Sequence, residues 1–262
     1  KQNIDCKLRG LADKYETTDF IKGDPSWFMH QIDGAENKEL IAFIASSLSY
    51  GSRKQFMKKI QLLFDDIRSF ANREQICSKE IVSQWLVRRE FENIIPHSAE
   101  SFYRLYSYDT YNQFLEALAS MIEQYGSIKK FLLVEQNIQQ EETIHAIDAI
   151  ESITRWFREN GSKGVIPQDT RSSCKRVCMF LRWMVRSNSP VDIGIWSDII
   201  DRKTLIIPMD THVIQEAKRM NLITSTATSM SNAVRLSARL AEVFPDDPMR
   251  GDFALFGLGA YD

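Results

Sequence analysis

Glycine and proline are scarce in this chain, at 11 and 7 of 262 residues. So little turn punctuation argues against a fold built from many short strands, because hairpins and sandwiches need frequent turn residues. The cysteines, Cys6, Cys77, Cys174 and Cys178, are too few and too scattered for a disulfide framework. Nor do they show the close spacing of a zinc site or an iron–sulfur cluster. Cys174 and Cys178, one helical turn apart, read as packing residues. No apolar run approaches the roughly 20 residues of a membrane span. The start, KQNIDCKLRG, lacks the apolar stretch of a signal peptide. Without a membrane span or secretion signal, the expected location is the cytoplasm, and the nucleoid if the source is bacterial. Serine-hydrolase, P-loop and dinucleotide motifs are missing as well. Glu142-x-x-His145 is half of a di-iron bundle motif without its second pair.

What is present is helical periodicity. Apolar residues recur at i, i+3, i+4 and i+7 through most of the chain, and strict alternation is rare. The spacing predicts helices over 3–17, 37–48, 52–71, 79–87, 99–105, 110–124, 127–136, 141–160, 173–187, 193–201, 211–220, 229–243 and 250–258. The stretch GSKGVIPQDTR (161–171) is the clearest internal loop, and TLIIP (204–208) reads as a short extended piece. The fold class is therefore all-α.

The formal net charge of −2 does not advertise a polyanion-binding protein, which is usually basic over one face or domain. Local charge is more informative. Residues 171–186, RSSCKRVCMFLRWMVR, hold five basic side chains and no acidic one. At about 100° per residue, Lys175, Arg182 and Arg186 fall within about 40° of one another on a helix, opposite Val177, Phe180, Leu181 and Met184. Exposed helices usually interleave charges of both signs. A cationic stripe would suit phosphates, whereas a solvated surface face is the plainer reading. Lys175 sits in the first turn, where the helix dipole and neighbouring Arg176 both disfavour a cation. That is a setting for an amine nucleophile, although a lysine merely lying on the surface would look the same.

Further on, PMDTHV (208–213) reads as an extended piece running into a helix. Asp210 is the natural N-cap, with Val213, Ile214, Ala217 and Met220 as the apolar stripe. Its two oxygens could divide their roles, one capping and one facing a cleft.

The run PMDTHVIQEAKRMNL resembles the segment that follows the hairpin in endonuclease III-type enzymes of the helix-hairpin-helix DNA glycosylase superfamily. On that resemblance Asp210 falls on the catalytic aspartate and Lys175, in Cys174-Lys175-Arg176, on the lyase lysine. LIAFIASSLSYG (40–51) resembles the early helix and turn that supply a residue inserted into DNA, which makes Tyr50 the candidate duplex wedge. The closing Asp252-Phe-Ala-Leu-Phe-Gly-Leu-Gly resembles the superfamily's last helix. From about Asp24 to Tyr261 the chain also resembles a functionally uncharacterised bacterial family related to that superfamily. It departs from the superfamily in its hairpin: IPQDTRSSCK has none of the glycines that let backbone amides approach a phosphate. Archaeal 8-oxoguanine glycosylases are similar in having an altered hairpin. Here Arg171, Ser172 and Ser173 could replace the clamp, and a helix over Val191 to Asp201 fills the longer connection between Lys175 and Asp210.

The resemblance implies two helical lobes, 38–187 and 1–37 with 188–262, with Lys175 at the lip of the first and Asp210 across from it. It implies a DNA-repair glycosylase with abasic-site lyase activity, working without metal, iron–sulfur cluster or organic cofactor. The partner would be double-stranded DNA carrying a damaged or abasic site, bound by a monomer. Arg171, Ser172, Ser173, Arg176, Arg182, Arg186 and His212 would contact the DNA. The alternative is a non-catalytic nucleic-acid-binding module on the same scaffold.

Overall fold

A computed structural model describes residues 2–76, 79–139 and 142–261. It is 62% helix and 4% strand, as the periodicity predicts. The first helices are α1 (Gln2–Tyr15), α2 (Ala35–Leu48), α3 (Arg53–Glu74), α4 (Ile81–Val87), α5 (Tyr108–Tyr125) and α6 (Ile128–Glu135). After them come α7 (Ala146–Glu159), α8 (Lys175–Val185), α9 (Thr211–Arg219), α10 (Met230–Val243) and α11 (Arg250–Tyr261). Two short antiparallel strands, β1 (Ser101–Tyr103) and β2 (Tyr106–Ser107), form a hairpin. Side-chain caps start four of these helices: Ser107 on α5, Ser127 on α6, Asp210 on α9 and Ser229 on α10. Each satisfies an amide that the first helical turn leaves without a partner. No helix among the described residues is long and apolar enough to cross a membrane. Cys6, Cys174 and Cys178 are free thiols; Cys77 lies outside the described residues.

The chain divides into two compact units. One comprises Gly23–Gln139 and Glu151–Gln168. Its centre is α2, apolar nearly all round and buried from Glu39 to Leu48, as a helix enclosed by others must be. The buried Glu39 carboxylate accepts the Ile128 amide at 2.6 Å and so helps cap α6. The 99–105 segment, expected as helix, forms the β1–β2 hairpin instead. Arg104 takes a left-handed φ of 51° at its tip, and the Tyr50 hydroxyl donates to Tyr103 O and accepts from Leu105 N, both at 3.2 Å. Tertiary hydrogen bonding thus overrides a weak local pattern.

The other unit comprises Lys1–Lys22, Gln140–Ile150 and Asp169–Asp262. Here α11 lies against α1 and α9 at close range. A Cβ added at Gly257 would stand 2.2 Å from the Tyr15 ring, and one at Gly259 2.8 Å from His212. Glycine is required at both because the helices approach that closely. Phe253 meets Phe20 edge-on at 5.0 Å beside Val191. This division differs from the expected lobes: α8 goes with the C-terminal residues, so Lys175 and Asp210 belong to one unit. The expected helix over 193–201 is a series of turns. Amides of Ile193, Gly194 and Trp196 fold back onto the Trp183 and Met184 carbonyls, satisfying acceptors that the end of α8 leaves open. Gly194 makes this return feasible, with φ 69° and a missing Cβ that would lie 2.6 Å from Ser187 Cα.

Candidate active site

The approach to α8 is fixed without glycine. Ser172 forms an antiparallel bridge with Ser229, Ser173 N donates to Thr228 O at 2.9 Å and Met230 N donates to Arg171 O at 3.2 Å. Cys174 then adopts a left-handed φ of 45° and opens the helix. The Ser173 amide is thereby used internally and its side chain is buried. Ser172 remains exposed, as does Arg171, whose Nε donates to Asp169 Oδ2 at 2.6 Å. The expected substitute clamp is thus only partly outward-facing.

Lys175 is the first residue of α8, and its Nζ lies 3.2 Å from Asp210 Oδ2. The side chains are 29% and 18% exposed, so neither is sealed from solvent. Asp210 is held from behind. The preceding Leu205–Met209 stretch is buried, with Ile207 N bonded to Ser237 Oγ at 2.9 Å. The other oxygen, Oδ1, accepts the His212 amide at 2.7 Å. The division of roles read from the sequence is present: one oxygen caps and the other meets the lysine. His212 is half-buried and its ring meets Phe256 edge-on at 5.9 Å. Arg176 is half-buried beside Lys175 in sequence.

Arg182 and Arg186 are not the outward stripe expected of them. They are 5% and 1% exposed, and α8 is buried on nearly every side. Arg182 Nη1 donates to Asp252 Oδ2 at 2.5 Å and its Nε lies 3.3 Å from Asp192 Oδ1. Arg186 grips Asp247 with two nitrogens, at 2.9 and 2.8 Å, and also binds Asp192 and Glu16. Both guanidiniums lie over the Phe253 ring, at 4.5 and 5.2 Å. The missing carboxylates come from the bend after α1, the 191–201 turns, the 246–248 bend and α11, which no reading confined to α8 could reveal. Fixed, buried pairing of this kind leaves these arginines no capacity for phosphate.

The charges in this buried layer are perturbed. Burial pushes Asp252 up to about 6, opposed by Arg182 and assisted by the charge of Asp210. Burial also opposes the charge on Arg186, but Asp192, Asp247 and Glu16 outweigh it and push Arg186 up. The Cys174 and Cys178 thiols are pushed up by burial, which suits packing residues rather than thiolate nucleophiles. No group of three or more His, Cys, Asp or Glu among the described residues could hold a metal ion.

Asp252 and Asp192, which pair with the arginines of α8, have no mark in the sequence of α8 itself. The signal for Asp252 was an acid opening an otherwise seamless apolar run, FALFGLG, because an ionisable group set in such a run is buried and needs a partner.

Tyr50, in the other unit, is held within the fold. Its hydroxyl serves the hairpin, its carbonyl accepts the Tyr103 hydroxyl, and its ring lies 5.1 Å from both Tyr103 and Tyr106. The residue that protrudes is Leu105, 87% exposed at the hairpin tip beside exposed Arg104.

No curated protein and no solved structure matches the chain. A family described as Protein of unknown function (DUF2400) matches residues 24–261. With nearly its whole length matched, the chain belongs to the DUF2400 family.

Proposed function

We propose that the protein is a DNA glycosylase with associated abasic-site lyase activity, in which Lys175 is the nucleophile and Asp210 its base. The observation that carries this reading is the 3.2 Å approach of Lys175 Nζ to an Asp210 carboxylate whose other oxygen is anchored by the His212 amide. A nucleophile beside a base that is itself oriented by a third group is the arrangement that amine catalysis needs. The partial exposure of both side chains leaves the pair open to a reactant presented from solvent.

Asp210 takes a proton from the Lys175 ammonium, and the free amine attacks C1′ of the flipped sugar. The leaving base takes that proton back from Asp210. The carboxylate then carries a second proton from the nitrogen to the ring oxygen as the ring C–O bond opens, and an iminium joins Nζ to C1′. Loss of a C2′ proton expels the 3′ phosphate, and water then hydrolyses the imine and returns the amine. At a site already lacking its base, the same amine condenses with the C1′ aldehyde and releases water. Asp210 also stabilises positive charge developing on the sugar.

The cations expected to grip the backbone need reassigning. Arg171, exposed, and Arg176, half-buried, remain candidates, whereas Arg182 and Arg186 are buried in ion pairs with Asp192, Asp247, Asp252 and Glu16. Within the Gly23–Gln139 unit, the exposed apolar Leu105 beside Arg104 suits insertion between bases better than Tyr50, whose hydroxyl and ring are engaged by the hairpin.

Incubating the protein with an abasic-site duplex and borohydride tests the proposal. The expected result is a covalent protein–DNA adduct that disappears in Lys175→Gln. A protein that binds DNA and traps nothing across a broad lesion panel would instead be a binding module.

A further inference from the structure

Two stretches of the Gly23–Gln139 unit carry charge of one sign. Residues 40–64 hold Arg53, Lys54, Lys58 and Lys59 and no acid, and the hairpin 101–107 adds Arg104, again with no acid. The whole chain, by contrast, has a net charge of −2. Two contacts join these stretches into one surface. The Arg104 guanidinium lies over the Tyr50 ring, 5.7 Å from its centre, and beside Gly51, where an added Cβ would stand 2.6 Å from Nη1. The Lys59 ammonium lies 4.5 Å from the centre of the Phe102 ring on β1.

Lys54, Lys58 and Arg104 are exposed, and among the described residues none of the three pairs with a carboxylate. The neighbouring acids are turned elsewhere. Glu39 accepts the Ile128 and Lys129 amides, Asp65 accepts from Gln61, and Asp109 accepts from Gln113 and meets His97. Glu100 precedes β1, at the end of the hairpin away from Arg104. Like charges one turn apart on a helix repel. The unit therefore presents an array of positive charge that an anion from outside would relieve.

We propose that Lys54, Lys58 and Arg104 bind the phosphate backbone of duplex DNA on this unit, next to the exposed Leu105. The inference needs binding alone and stands apart from the reading of Lys175 as an amine nucleophile. Cations spaced along a helix suit an anion that repeats along a strand. The planar Arg104 guanidinium can take two phosphate oxygens at once, and its seat over Tyr50 limits the freedom it loses on binding. Single strands are held largely by stacking on exposed aromatic rings. The rings at this tip are otherwise engaged: Tyr103 and Tyr106 are buried, and Tyr50 packs against both. A membrane surface would require a broad apolar face beside the cations, whereas the exposed side chains of α3 are polar apart from Leu62.

Fluorescence anisotropy of a labelled DNA duplex, read between about 50 and 200 mM salt, tests the proposal through the slope of log Kd against log salt. The variants are Lys54→Ala with Lys58→Ala, and the same pair with Arg104→Gln. Lys163→Ala, exposed in the same unit, is the control. The slope should lessen by about two in the double variant and by about three in the triple, at roughly one per phosphate contact. It should not change in the control. The two lysines are exposed on α3, so the double variant decides alone if Arg104→Gln disturbs the hairpin. An unchanged slope in the double variant overturns the inference. So does a wild type that binds single-stranded DNA or phosphatidylserine vesicles but no duplex. Duplex binding that depends on these lysines, in a protein that traps no abasic DNA, removes the lyase reading alone. Trapping with a slope indifferent to them removes this inference alone.

Discussion

Asp210 faces two ways: Oδ2 stands 3.2 Å from Lys175 Nζ while Oδ1 accepts the His212 amide at 2.7 Å. The second contact fixes the carboxylate at the head of α9, so the first is geometry imposed by the fold and not a chance surface pairing. Asp210→Asn keeps an acceptor for the cap and loses the charge facing the lysine, whereas Asp210→Ala loses both. Adduct formation should therefore fall in both variants. Thermal or denaturant stability should drop by about 1 kcal/mol only in the alanine variant, because Asn caps nearly as well as Asp. Equal destabilisation of the two would show that the lysine contact, and not the cap, is what holds α9.

Stability should carry the signature of Asp252. Its carboxyl moves from the usual 3.8 to about 6 on folding, so the folded protein binds this proton more tightly than the unfolded chain does. The contribution is fully present below pH 3.8 and is lost as pH rises through 6, at about 1.4 kcal/mol per pH unit within that window. Lowered carboxyls such as Glu123 act in the opposite sense, but Glu123 is surface-exposed and screened. Urea unfolding of wild type and Asp252→Asn at pH 4.5 and 7.5 isolates the one group. Wild type should gain relative to the variant at pH 4.5, and a difference that is the same at both pH values would refute the buried titration.

The helical class was legible because its signals are local. Ser107, Ser127, Asp210 and Ser229 stand where caps belong, and apolar spacing marks the buried faces between them. The Lys175–Asp210 pairing was legible only through motif resemblance, since 35 residues separate its members. Two segments were misread for one reason. The 99–105 stretch is shaped by Tyr50, over fifty residues away, and the 193–201 stretch by the open carbonyls at the end of α8. The basic face of α8 was misread in a similar way. Charge counted along one helix cannot register carboxylates delivered by Glu16, Asp192, Asp247 and Asp252 from elsewhere in the chain.

The hairpin makes a separate prediction. Leu105 is 87% exposed and supports nothing beneath it, so Leu105→Ala should change stability by no more than about 0.5 kcal/mol. Tyr50→Phe removes one hydroxyl that both donates to Tyr103 O and accepts from Leu105 N. The cost should be about 1–3 kcal/mol if those groups are left without partners. If Leu105 inserts into DNA, its alanine variant should also weaken binding to an abasic duplex while sparing single-stranded DNA. Unchanged duplex binding would remove Leu105 as a wedge.

The last prediction separates the two meanings that arginines on α8 could have. As phosphate ligands, Arg182 and Arg186 would each contribute to the salt dependence of DNA binding, with a loss of slope of roughly one per contact. As buried ion-pair members they should do nothing of the kind. Arg186 is 1% exposed and holds Asp192, Asp247 and Glu16 together. Its replacement by Met removes the cation and takes from Asp247 its guanidinium partner. Among the ion pairs described, it leaves the fully buried Asp192 with Arg182 alone and Glu16 with Arg250 alone. Breaking such a pair from one side costs about 3–5 kcal/mol. Arg171, exposed and paired only with its near neighbour Asp169 among the contacts described, is the control. Arg171→Ala should leave stability within about 0.5 kcal/mol. Arg186→Met should therefore melt at much lower temperature yet, in the fraction still folded, bind DNA with an unchanged salt slope. Arg171→Ala should do the reverse, keeping its melting temperature and flattening the slope. An Arg186→Met protein that keeps its stability and loses salt-dependent binding would return the stripe to the surface.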